Sequence, residues 1–81
     1  MKYKWSRHAN SNDYFREYSG FSLELTYEGP SGWTWYVFDE EKVDILLRGK
    51  RPIRRLDLAK SAAIRAAKRI LERDNEATST A

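Results

Sequence analysis

Phe21-Ser22-Leu23-Glu24-Leu25-Thr26-Tyr27-Glu28-Gly29-Pro30-Ser31-Gly32-Trp33-Thr34-Trp35-Tyr36-Val37-Phe38 is the stretch whose reading decides the fold. From Phe21 to Tyr27 apolar and polar side chains alternate, with Phe21, Leu23, Leu25 and Tyr27 on one side and Ser22, Glu24 and Thr26 on the other. A period of two is that of a strand buried on one face. Gly29-Pro30-Ser31-Gly32 supplies the turn, since proline presets one φ and glycine tolerates positive φ. Trp33 to Phe38, rich in aromatic and β-branched residues, is the returning strand. The stretch is therefore a β-hairpin.

Downstream, Asp39-Glu40-Glu41-Lys42 reads as a polar connection and Val43-Asp44-Ile45-Leu46-Leu47 as a third strand. Gly49 and Pro52 end that strand, because proline has no N–H for the ladder. Residues 55 to about 73 predict a helix, with five alanines and no interior Gly or Pro. Leu56, Ala59, Ala63, Ala66, Ala67 and Ile70 share one side of its wheel, with Ile64 and Leu71 at the edge; Asp57, Ser61, Arg65, Lys68, Arg69 and Glu72 take the other. Small residues on the inner stripe fit a helix lying close on large sheet residues such as Leu23, Trp33 and Trp35. The expected class is α+β: a three-stranded antiparallel sheet packed on one C-terminal helix.

Upstream, residues 1–20 are a polar arm carrying Tyr3, Trp5, Tyr14, Phe15 and Tyr18. Five aromatics in so short a segment predict that part of it docks, either as a short fourth strand or as an arm over the sheet. The chain thus divides into an arm (1–20), a β-β-β-α domain (21–74) and a small, polar, frayed tail (75–81).

Eighty-one residues make one domain near the lower size limit for a self-sufficient core. With no cysteine, neither disulfides nor thiolate metal sites contribute, and eleven aromatic residues must supply the burial. No apolar run approaches the ~20 residues of a membrane span, and the start has no signal-peptide apolar region. A soluble, cytoplasmic protein is expected. The net charge of +3 is unevenly distributed: residues 1–46 carry five basic and eight acidic side chains, residues 47–81 ten basic and four acidic. A basic half beside an acidic one favours an anionic partner.

Glu28-Gly29-Pro30 and Ala59-Lys60-Ser61-Ala62-Ala63 bring in a resemblance. From Glu28 onward the chain resembles the second half of a double-stranded-RNA-binding domain, which has a Gly-Pro turn before its second strand and an Ala-Lys-x-Ala-Ala type motif opening its last helix. That family's first helix has no counterpart in residues 1–20, and its paired lysines would fall at Leu56 and Asp57. Lys60 alone carries over, with the phosphate contact the resemblance implies. In outline the chain is equally similar to the arm-binding domains of phage integrases, whose open sheet face reads DNA.

Two candidate sites stand out. Arg48, Lys50, Arg51, Arg54 and Arg55 are five cations in eight residues with no acid among them, placed between the third strand and the helix. With Lys60 they form the candidate phosphate-binding set, since neutralised phosphates release condensed counterions and helix N-terminal amides favour anions. The other is the sheet face away from the helix, where Tyr36, Phe38 and Leu46 are expected to point outward. Exposed aromatics there would stack bases or hold a protein partner, unless Tyr3, Trp5 and Phe15 cover them. His8, the only histidine, stands without cysteine, which makes a metal site or a nucleophile–base pair improbable. No Gly-x-Gly-x-x-Gly, Walker or Cys-x-x-Cys motif occurs, so no enzyme activity and no cofactor are expected. The sequence favours a non-catalytic domain that binds the DNA or RNA backbone through its basic strand–helix loop. The alternative is a small protein-interaction module or inhibitor of phage or mobile-element type, acting through its sheet face or edge strand. A monomer, or a homodimer formed by pairing edge strands, fits either.

Overall fold

The computed structural model describes residues 4–41 and 44–79. Five strands precede one helix: β1 (Ser6–Arg7), β2 (Tyr14–Tyr18), β3 (Phe21–Tyr27), β4 (Trp33–Phe38), β5 (Ile45–Arg48) and α1 (Leu56–Ser79). The strands form a single antiparallel meander in chain order, β1-β2-β3-β4-β5. The class is α+β as expected, but the sheet has five strands instead of three.

The two additional strands come from the arm. Ser19 (φ 48°) and Gly20 (φ 86°) are both left-handed, as the two central residues of a type I′ turn must be, and they join Tyr18 to Phe21 in a tight hairpin. Strand β2 escapes the alternation test because Arg16 stands on the same face as Tyr14 and Tyr18, opposite Leu23. Its guanidinium carbon lies 5.8 Å from the Trp5 ring centroid and 5.4 Å from that of Tyr18. A charged residue is tolerated there because α1 packs on β3 and β4 and leaves β2 at the margin.

The predicted β3–β4 hairpin forms, with Leu23 opposite Val37, Leu25 opposite Trp35 and Tyr27 opposite Trp33. Its connection is a 3-10 turn over Gly29–Ser31. Gly32 follows at φ 102° and ψ −132°, a region open essentially to glycine alone, and a Cβ there would overlap the Ile53 carbonyl oxygen. Tyr14, Leu23, Leu25, Trp33, Trp35, Val37 and Leu47 face the helix. Leu23, Leu25 and Val37 are fully buried against Ala59, Ala63 and Ala67, with Ala66 nearly so. Trp33, Trp35, Leu56, Ile64 and Ile70 surround this centre, half-buried. Each of the three buried aliphatic side chains contributes roughly 1.5–3 kcal/mol by its removal from water.

Elsewhere the boundaries move. Strand β5 starts at Ile45, and Lys42 and Val43 lie outside the described residues. The helix continues to Ser79, past the predicted end near residue 73 and through most of the segment read as a tail. Asn75, Glu76, Ala77, Thr78 and Ser79 contain no Gly or Pro to stop it.

Gly32→Ala is expected to lower stability by about 3 kcal/mol or more, combining positive φ with backbone overlap. Gly20→Ala, which meets nothing within 4 Å, should cost only about 1–2 kcal/mol. Urea denaturation of the two variants distinguishes them, and equal losses would show that the Gly32–Ile53 contact does not hold the β4 end in place.

Candidate nucleic-acid interface

The basic loop is pinned at both ends by β4. The Gly49 N–H donates to the Trp35 carbonyl at 2.9 Å. The chain then bows outward over Lys50, Arg51 and Pro52 and returns at Ile53. There the Ile53 N–H donates to the Trp33 carbonyl (2.8 Å) and the Trp33 N–H to the Ile53 carbonyl (2.9 Å). Six residues after Ile53 the Ala59 N–H donates to the Arg55 carbonyl (3.0 Å), the first bond of α1. Helix start and loop are thus tied to the same strand. The loop's side chains project outward because its backbone is held inward.

Arg48, Lys50, Arg51 and Arg54 are all exposed, and none forms an ion pair or side-chain hydrogen bond with another described residue. Arg55 differs. Its Nε and terminal amine donate to the two Asp57 carboxylate oxygens at 3.2 and 2.9 Å. Both side chains are exposed, 71% and 65%, so the pair adds little stability. The pair engages Arg55 at the surface, and Asp57 is a local partner, not one from the acidic half. Lys60 lies apart from these: its ammonium is over the Tyr14 ring, 5.2 Å from the centroid, on the β2 side of the helix. The half-buried position of Lys60 beside Ala59 and Ala63 directs its stem along the sheet.

Two cations outside the sequence set lie close by. Arg65 and Arg69, exposed on α1, line one wall of a cleft of about 380 Å³ whose other wall is the end of β5, with Arg48, Gly49 and Lys50, and whose floor includes Trp35. The helical wheel correctly places both arginines toward water. What it cannot show is which edge of the helix abuts β5. Spacing at i and i+4 on that edge was the available signal.

The opposite sheet face is differently equipped. Across the strands runs the row Ser6, Phe15, Glu24, Tyr36, Arg48, followed by Glu17, Ser22, Phe38, Ile45. Tyr36 and Phe38 lie on this face as expected, half-buried with ring centroids 6.1 Å apart. Phe15 is on it too, its ring 4.5 Å from that of His8. Trp5 is not: it packs toward the core beside Arg16, because Trp5 and Arg7 alternate with Ser6. Tyr3 lies outside the described residues. Leu46 sits at a bulge in the β4–β5 pairing and is 41% exposed, with Ile45 at 50%. The Glu24 carboxylate in the middle of this face disfavours a phosphate backbone there.

No group of three or more His, Cys, Asp or Glu side chains able to hold a metal forms among the described residues, and none of their helices is long and apolar enough to cross a membrane. No family model, curated protein or solved structure matches the chain.

Removing the Asp57 carboxylate releases Arg55. Asp57→Ala is expected to elute from immobilised heparin at higher salt than the parent, while stability falls by no more than about 1 kcal/mol from loss of a first-turn acid and an exposed pair. Unchanged elution would mean that Arg55 does not add to the cationic surface even when unpaired.

Proposed function

We propose that this protein is a small non-catalytic nucleic-acid-binding domain whose primary contact is the cationic corner formed by Arg48, Lys50, Arg51 and Arg54. The observation that carries the reading is the corner itself: Lys50 and Arg51 on a strand-anchored loop, flanked by Arg48 at the end of β5 and Arg54 just past the second anchor, all exposed and none engaged by a described acid. Surface arginines kept only for solubility need no such anchoring. The excess of basic over acidic side chains in residues 47–81 adds a long-range field of the same sign. The outline similarity to double-stranded-RNA-binding and integrase arm-binding domains points to the same class of partner.

One feature favours a second reading, a protein-interaction module. Strand β5 is an edge strand with Ile45 and Leu46 half in water, and exposed edges accept a further strand from another chain or a second copy. A partner on that edge would compete with nucleic acid at Arg48 and Lys50. Leu46→Lys would abolish such pairing and leave phosphate binding intact or strengthened.

The test is a salt titration against duplex DNA and duplex RNA. Log affinity should fall linearly with log salt between about 50 and 200 mM, and Arg51→Ala/Arg54→Ala should weaken binding and flatten the slope by about 2. An absence of binding to either duplex at low salt, with a stoichiometric protein partner lost in the Leu46→Lys variant, would replace the first reading by the second.

A further inference from the structure

The cleft between β5 and α1 has features that the corner lacks. Four of the residues lining it are cationic, Arg48, Lys50, Arg65 and Arg69, and none is acidic; Arg48 contributes from the strand end, its side chain lying on the opposite sheet face beside Tyr36. At Leu47 and Arg69 it meets a second cleft of about 360 Å³ that continues along the helix past Ile70 to Arg73, with Glu72 the one acid on its lining. Together the two form a track that follows α1 for the length between Arg65 and Arg73. Arginines at 65, 69 and 73 repeat every four residues, about 6 Å of helix rise, close to the distance between successive phosphates on one strand. The floor is apolar, formed by Trp35, Leu47 and Ile70.

Trp35 is the second component. It is half-buried and lines the cleft. Strand β5 approaches it directly because residue 49 is glycine: a Cβ there would lie 2.7 Å from the indole Nε1 and 2.9 Å from Cδ1. No described residue accepts a hydrogen bond from that indole N–H, nor is it sealed from solvent. The ring is thus held at the bottom of a cationic cleft with a donor and apolar surface to offer.

Scale decides the ligand. A duplex can rest on the convex corner but cannot enter a cleft near the small end of the range for small-ligand sites. One strand can, with phosphates on the arginine rail and a base against the indole, the combination by which single strands are held without sequence readout.

We infer that the β5–α1 cleft is a binding track for single-stranded nucleic acid, with Arg65 and Arg69 holding successive phosphates and Trp35 contacting a base. The inference rests on the nucleic-acid reading of the protein and adds to it a second contact, adjoining the corner at Arg48 and Lys50, that selects unpaired strands.

Fluorescence anisotropy at constant salt tests it, using a labelled oligo-dT of about twelve nucleotides and a labelled duplex of equal length. In Arg65→Ala/Arg69→Ala the ratio of single-strand to duplex affinity is expected to fall at least tenfold. In Arg51→Ala/Arg54→Ala it is expected to stay within twofold while both affinities decline. All four positions are exposed, so neither variant disturbs the core. Oligo-dT should also quench tryptophan emission in the parent and not in Trp35→Phe. A ratio unchanged in Arg65→Ala/Arg69→Ala, with duplex binding intact in the parent, would overturn the track and leave the corner standing. No binding of either oligonucleotide to the parent would overturn the nucleic-acid reading itself, and the track with it.

Discussion

The whole arrangement depends on how closely α1 can approach the sheet. Ala59, Ala63, Ala66 and Ala67 present almost no side chain toward Leu23, Leu25 and Val37, so the helix backbone comes down nearly to van der Waals contact with the sheet's large residues. Larger residues in the stripe would raise the helix and open a gap beneath it, losing dispersion contacts on both sides. Replacing the buried leucines would leave a cavity instead. The alanine–leucine interlock holds α1 over β3 and β4, and everything at the basic end follows from that placement.

One consequence is lateral. Because the helix lies over β3 and β4, its Arg65–Arg69 edge lies beside β5 and its Lys60 edge lies toward β2. Two cations of the same helix, five residues apart, therefore lie in different settings: Lys60 stacks on Tyr14 and stabilises the fold, while Arg65 stands across a cleft from Lys50. On the wheel they stand about 140° apart, on opposite flanks of the alanine stripe, but the wheel does not say which strand each flank meets. Only the packing does.

The division explains what was legible in the sequence. The β3–β4 hairpin, the helix and its alanine face were readable because period two, the Gly-Pro turn and period 3.6 are local signals backed by burial. The corner cations were readable because charge clustering in a loop is visible in the chain itself. The arm was readable as at most one short extra strand, and its pairing as β1 and β2 was not, because Arg16 interrupts the inward row and alternation alone overlooks the two-residue hairpin signal Ser19-Gly20 directly before Phe21. The Arg55–Asp57 pairing is visible only in the side-chain geometry, and the position of Arg65 and Arg69 beside β5 only in the tertiary placement of α1. Local features were recoverable from sequence; pairings across elements were not.

The arginine rail also runs against local energetics. Like charges at i and i+4 disfavour a helix by about 0.2–0.5 kcal/mol per pair, and the 65–69–73 column contains two such pairs, with Lys50 on the far side of the cleft. Nothing in the core requires arginine at 65 or 69, since both are exposed; glutamate at either would relieve the repulsion and pair across the gap. A domain this small holds on the order of 5–10 kcal/mol of stability, so the repulsion is tolerable, but it brings no structural return. Concentrated uncompensated charge beside a glycine-exposed tryptophan is the kind of local disagreement with fold stability that marks a functional surface. The compensation is external: an anion entering the cleft removes the repulsion as it binds, so part of its affinity comes from strain already present in the unliganded protein.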